Sequence, residues 1–156
     1  MTDIRVGVVD VVITRGVGAA REVLALQRGP NGRNPGSWEI VHGSIEADEA
    51  PEAAALREVA EESGLIPARL YSLTVHPFYL PRARTVQLAV VFAAVIEGEA
   101  DVRVGPEHDA FAWWSIAEAR AQLSWPREAE SLTHLERLLG GPDGTAGVLE
   151  DVLRVR

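Results

Sequence analysis

Residues 43–65 read Gly43-Ser44-Ile45-Glu46-Ala47-Asp48-Glu49-Ala50-Pro51-Glu52-Ala53-Ala54-Ala55-Leu56-Arg57-Glu58-Val59-Ala60-Glu61-Glu62-Ser63-Gly64-Leu65. The run of alanine, leucine and glutamate predicts a helix, with Gly64 as its C-cap and Pro67 preventing continuation. Three carboxylates, Glu58, Glu61 and Glu62, crowd its last two turns. That end of a helix already carries the negative pole of the dipole, and acidic groups there are disfavoured. Glu58 and Glu62 also stand four apart, a like-charge spacing that costs a few tenths of a kcal/mol. Something outside the helix must offset this. At about 100° per residue, with Glu58 at zero, Glu61 falls near ~300° and Glu62 near ~40°, so the three share one sector. Ala53, Leu56, Val59 and Ala60 occupy the opposite sector, which predicts a helix docked by small residues with its carboxylates pointing away from the core. Such oxygen-rich clusters suit Mg²⁺ or Mn²⁺, which usually keep waters and share the ion with substrate phosphates.

Outward from this helix, residues 4–14 are β-branched and mostly apolar and predict a strand buried on both faces. Arg15-Gly16-Val17-Gly18 is a turn, and residues 22–27 form a second strand in a hairpin with the first. Residues 28–37 hold three glycines and two prolines and make a long loop, the kind that often carries function. A short strand at 38–41 leads into the acidic helix. Residues 70–79 and 85–96 predict two long strands joined by 80–84, and 110–114 a further strand. Ser115-Ile116-Ala117-Glu118 is a capping box opening a short helix to about Leu123. Pro126 suits a first helical position, and Gly140-Gly141 stops the helix begun there. Residues 142–156 read equally as helix or strand. Strands interleaved with a few helices predict an α/β (α+β) sandwich, one domain over 1–156 with a tail at about 141–156.

Composition narrows the function. The 156 residues are 47% apolar and 24% charged, ordinary for a globular domain. There is no cysteine, so disulfides and thiolate chemistry are excluded. A net charge of -8 argues against a nucleic-acid polymer as partner, though not against a small phosphorylated ligand reached through a divalent cation. All fifteen basic residues are arginine. The apolar run 88–96 is too short for a membrane span. Asp3 and Asp10 interrupt the start where a signal peptide would be basic and then unbroken. The expectation is a cytoplasmic protein without a membrane partner, monomer or homodimer.

The segment resembles the Nudix box, G-x5-E-x7-R-E-U-x-E-E-x-G-U with U a bulky aliphatic, at every fixed position: Gly43, Glu49, Arg57, Glu58, Val59, Glu61, Glu62, Gly64 and Leu65. The order of predicted elements from about 4 to 140 is similar to the Nudix fold, a mixed β sheet sandwiched between helices. The resemblance implies divalent-metal-dependent hydrolysis of a nucleoside diphosphate linked to another moiety. By it, Glu58, Glu61 and Glu62 hold Mg²⁺ or Mn²⁺, with Glu58 or a neighbouring carboxylate helping to deprotonate water. Arg57 pairs with Glu49 or its neighbours and steadies the carboxylates. The carbonyl before the first box glycine is a further metal ligand; here it belongs to His42, in Val41-His42-Gly43 where many relatives have Pro-Gly-Gly.

The flanks resemble the bacterial dATP pyrophosphohydrolase and dihydroneopterin triphosphate pyrophosphatase group. Trp38-Glu39-Ile40-Val41-His42-Gly43-Ser44-Ile45-Glu46 is similar to its W-x-x-V-T-G-S-I/V-E opening. Glu107-His108-Asp109-Ala110-Phe111-Ala112-Trp113 is similar to its E-H-x-x-Y-x-W segment, which implies that Glu107 completes the metal site; His108 itself reads as structural rather than catalytic. Arg28 matches a position where the family keeps an arginine near the phosphates. Arg82 and Arg84 either contact phosphate or base or are merely solvated. Trp38 and Tyr79 either stack on a base or, for Trp38, anchor the core. His76 and His134 read as ordinary strand and helix residues. The expected activity is cleavage of a nucleoside triphosphate or similar organic pyrophosphate to a monophosphate and pyrophosphate. The alternatives are a nucleoside diphosphate-sugar or ADP-ribose hydrolase and a nucleotide-binding module without catalysis.

Overall fold

The computed structural model describes residues 1–156. The β-branched stretch near the start forms β1 (Asp3–Arg15), the centre of a seven-stranded mixed sheet. The other strands are β2 (Glu22–Arg28), β3 (Trp38–Glu39), β4 (Val41–Ser44), β5 (Arg69–Leu80), β6 (Thr85–Val95) and β7 (His108–Ser115). The path runs β3-β2-β1-β6-β5, with β4 also paired to β1 and β7 to β2. β1 and β6 are parallel from Asp3↔Thr85 to Thr14↔Val95, and the remaining pairs are antiparallel.

The hairpin of β1 and β2 is short, paired only at Thr14↔Val23 and Arg15↔Glu22. Beyond it the strands part, and β1 pairs with β4 from Val8↔Ser44 to Val11↔Val41. This divergence splits the strand expected at 38–41. Trp38 and Glu39 stay on β2, Val41 onward crosses to β1, and Ile40 between them is fully buried. A buried N–H without a partner is costly. The Ile40 N–H donates to Glu128 Oε1 at 3.2 Å.

Strand alternation sends neighbouring β1 residues to opposite layers. Val9, Val11 and Ile13 pack with Ala54, Ala55 and Val59 of helix α1 (Pro51–Ser63). Val12 packs with Ala119 of α2 (Ile116–Gln122) and with Leu132, Leu135 and Leu139 of α3 (Pro126–Leu139). Fully burying each such leucine contributes about 1.5–3 kcal/mol before ordering costs. The result is the helix–sheet–helix sandwich expected from the sequence.

Local signals formed the expected ends. Ser115 and Glu118 make both bonds of the capping box, Pro126 opens α3, and Gly64 closes α1 at φ 70°. The rotation of α1 differs from expectation. It buries Ala54, Ala55, Glu58, Val59, Glu62 and Ser63, while Ala53 and Ala60 are exposed. Glu58 and Glu62 therefore face inward rather than away from the core. Alanines on both sides of the helix leave its apolar face weakly marked, so the neighbouring chain decides the rotation. The tail combines both of its readings: a 3-10 turn (Gly147–Leu149), one helical turn α4 (Glu150–Leu153), then a bridge from Arg154 to Tyr71 on β5. No helix is long and apolar enough to cross a membrane.

Candidate metal and phosphate site

Arg57 organises the acidic end of α1. Its Nε and Nη2 donate to the two oxygens of Glu49, each at 2.9 Å, and Nη2 also donates to the Ser44 carbonyl at 2.9 Å. Nη1 donates to Glu58 Oε1 at 2.7 Å and lies 3.5 Å from Glu61 Oε2. One planar fork thus ties the loop before the helix to two of its carboxylates, which a point-charge lysine does not reproduce. These bonds hold the Glu49 carboxyl down at about 2. Gly43 lies against the same cluster, and a Cβ there would overlap the Glu58 carboxylate. Burial raises the Glu58 pKa, and the charges of Glu61 and Glu107 add to it against the pull of Arg57.

Glu62 has no such cation. It is buried, its Oε2 has no hydrogen-bond partner, and burial pushes its pKa up to about 9, helped by the charges of Glu58, Glu39 and Glu107. Glu107 and His108 enter from the turn and start of β7, and ligand-type atoms of Glu62, Glu107 and His108 lie within 4.8 Å of one another. Behind them Glu39 sits 3.0 Å from His108 Nε2 and accepts from Arg28 Nη1 at 3.1 Å. Burial pushes Glu39 up, but the bonds from His108 and Arg28 outweigh it and hold the carboxyl below the usual range. Arg28 in turn lies 3.9 Å from Glu107 Oε2.

These groups form one side of an open cleft of about 640 Å³. Arg28 and Arg33 line it beside Glu58, Glu61 and Glu107. Phe78, Trp125 and Arg127 also line it. Arg127 donates through Nε to Asp10 Oδ2 at 2.8 Å, and its guanidinium lies 4.5 Å from the Phe78 ring and 5.0 Å from the Trp125 ring. His42 Nδ1 is 2.6 Å from Asp10 Oδ1. Burial alone would raise Asp10, yet His42 and Arg127 hold it below its ordinary value. The cleft thus brings the box carboxylates together with two arginines and, through Arg127, with aromatic side chains.

The sequence-selected residues distribute unevenly. Arg28, His42, Glu58, Glu61 and Glu107 line the cleft, with Glu62 buried beside it and Arg57 behind. Trp38 does not line it; its ring packs at a tilt against Trp114 with centroids 4.7 Å apart. Tyr79 is half exposed and turned away, because strand alternation gives the cleft to Phe78 and Leu80 instead. Arg82 and Arg84 are exposed in the β5–β6 turn, outside the cleft. Sequence reading missed Asp10, Glu39, Phe78, Trp125 and Arg127. An acid inside an otherwise apolar strand, as at Asp10, was the one available signal.

The NUDIX domain model matches residues 4–135, most of the chain. This chain belongs to the NUDIX family. Its fold is similar to that of the MutT protein from Methanosarcina mazei, with TM-score 0.70 and 23% identity over 87% of this chain and 95% of that one. It is also similar to the Escherichia coli dihydroneopterin triphosphate pyrophosphohydrolase, with TM-score 0.65 and 23% identity over 85% of this chain and 95% of that one. A curated relative, an octanoyltransferase from Myxococcus xanthus, is 37% identical over 117 residues, 74% of this chain. The chain spans 32% of the length of that relative. Within the NUDIX frame, the fit of the residues to a cation rests on Glu62. A buried carboxylate with an unbonded oxygen among other carboxylates is unfavourable unless a positive charge joins it.

Proposed function

We propose that the chain is a divalent-metal-dependent pyrophosphohydrolase that converts a nucleoside triphosphate or similar organic pyrophosphate to a monophosphate and pyrophosphate. The observation that carries this reading is the unbonded, buried oxygen of Glu62 among Glu58, Glu39 and Glu107, at the side of a cleft that also holds Arg28 and Arg33. Glu58, Glu61, Glu62 and Glu107, with the His42 carbonyl, are the residues that would hold Mg²⁺ or Mn²⁺, ions that favour oxygen donors. When bound, the cation polarises phosphoryl oxygens, makes water more acidic and neutralises charge on the leaving phosphate.

The chain's own residues do the rest. Arg57 fixes the Glu58 carboxylate through Nη1 while the rest of its fork is anchored on Glu49. Glu61 is mostly exposed at the cleft edge, where its carboxylate can take a proton from water entering from solvent. Arg28, held by Glu39, presents a positive group to the phosphate chain. Arg127 and its aromatic neighbours stand where the organic part of the substrate would lie.

Incubation with Mg²⁺ and a panel of nucleoside triphosphates, dihydroneopterin triphosphate, nucleoside diphosphate-sugars and ADP-ribose, followed by phosphorus NMR, tests the reading. Monophosphate and pyrophosphate are expected, with all turnover abolished by chelator and restored by Mg²⁺ or Mn²⁺. Turnover confined to diphosphate-sugars or ADP-ribose would reassign the substrate class. Tight nucleotide binding with no turnover would make the chain a binding module. Hydrolysis that survives exhaustive chelation would sink the metal mechanism.

A further inference from the structure

We propose that His108 is a nitrogen ligand of the divalent cation, giving this site a mixed oxygen and nitrogen donor set. The proposal rests on the metal-dependent reading above and adds to it a residue that the sequence marks only as structural. The His108 side chain is fully buried. Its Nε2 faces Glu39 Oε1 at 3.0 Å, and Arg28 Nη1 donates to that same oxygen at 3.1 Å. An ionised carboxylate only accepts, so the ring proton belongs on Nε2 and the lone pair on Nδ1.

Nδ1 is buried and has no hydrogen-bond partner. Leaving a buried acceptor unpaired forfeits its hydration with nothing in return. A doubly protonated ring fares no better, because its Nδ1–H would have no acceptor in bonding range. Glu62 Oε2 is a second buried, unpartnered acceptor, and the ligand-type atoms of Glu62, Glu107 and His108 gather within 4.8 Å. Two unsatisfied acceptors from α1 and β7, beside a third carboxylate, call for one electron-pair acceptor between them. A divalent cation satisfies both and joins the Glu107 carboxylate to them. The competing occupants are a water donating to both atoms and a proton on Glu62, neither of which also satisfies the Glu107 carboxylate.

The backing of the ring supports the cation. Histidines that ligate metals usually donate their other ring N–H to a carboxylate, which fixes orientation and raises ligand basicity. Glu39 stands in that position for His108. His42 is the other histidine at the cleft, but its Nδ1 is engaged by Asp10 at 2.6 Å. His76 and His134 meet edge to face at 5.8 Å, with Glu130 of α3 3.6 Å from His76 Nδ1.

The test is pulsed electron paramagnetic resonance on the Mn²⁺-loaded full chain, read for nitrogen-14 modulation from a bound imidazole. The expected result is imidazole coupling in the wild type, kept by His42→Gln and lost in His108→Gln. His108→Gln should also weaken Mn²⁺ binding by about tenfold or more. If His108→Gln does not fold, the wild type and His42→Gln still decide. Bound Mn²⁺ without nitrogen coupling, or coupling lost in His42→Gln, overturns the histidine ligand while leaving the metal site standing. Failure to bind Mn²⁺ at all overturns both.

Discussion

Glu62 combines a buried, unbonded oxygen with a pKa pushed up to about 9 by burial and by neighbouring carboxylates. Its effect on stability follows by linkage. In the unfolded chain the group titrates near its ordinary 4.5, so between about 4.5 and about 9 the folded state holds the extra proton. Metal-free protein should therefore be most stable below that window and lose stability as pH rises through it. Thermal melts in chelator should show this decline, and Glu62→Gln should flatten it. With Mg²⁺ present, the same variant should keep its fold and lose at least about a hundredfold in turnover, because an anionic ligand is gone. Near-normal turnover would remove Glu62 from the site. Glu107 differs in being mostly exposed, so its charge is of use chiefly once substrate arrives. Glu107→Gln should lower kcat more than it raises KM. Steady-state kinetics would show an unchanged kcat if the residue only completes a turn.

The elements around the site depend on a few backbone positions. Gly64 ends α1 in the left-handed region at φ 70°, with its N–H donating to the Ala60 carbonyl at 2.9 Å. A side chain in that conformation costs roughly 1–2 kcal/mol. Here a Cβ would also meet the Arg103 side chain at 3.3 Å. Gly64→Ala should lower the melting temperature by roughly 2–8 °C, and Gly64→Asn by less, since asparagine tolerates this region. Equal melting temperatures for all three would show that the cap carries no stability. The end of α1 was legible because Gly64 and Pro67 signal it locally. Its rotation was not, since alanines on both faces let β1 and β4 choose which side is buried.

Across the whole molecule, the last residues close the sheet edge beside β5. Glu150 accepts from the Tyr71 hydroxyl at 2.9 Å and from the Ala146 N–H at 2.8 Å, and Arg154 donates to it at 3.3 Å. The bond from Ala146 leads in holding its pKa below 4.5; burial opposes it, and Tyr71 and Arg154 add to the lowering. A depressed pKa means the stabilisation is complete above 4.5 and disappears as pH falls through the folded value. Glu150→Gln should thus be less stable than wild type near neutrality, and the gap in melting temperature should close in acid. A gap that persists at low pH would assign the loss to packing instead of charge.

The sequence by itself determined the elements, the mixed helix–sheet–helix class and the family, because caps, turn glycines, strand alternation and the spacing of Arg57 and the box carboxylates are all carried by nearby residues. Tertiary structure decided which of those side chains meet. Arg127 reaches Asp10 across 117 positions, and His108 reaches Glu39 across 69. Strand parity put Phe78 in the cleft in place of Tyr79, and Trp38 packs against Trp114 instead of lining it. Such choices turn on which strands pair and in what register. Those are set by the packing of surfaces distant in the chain, which no local pattern of residues encodes.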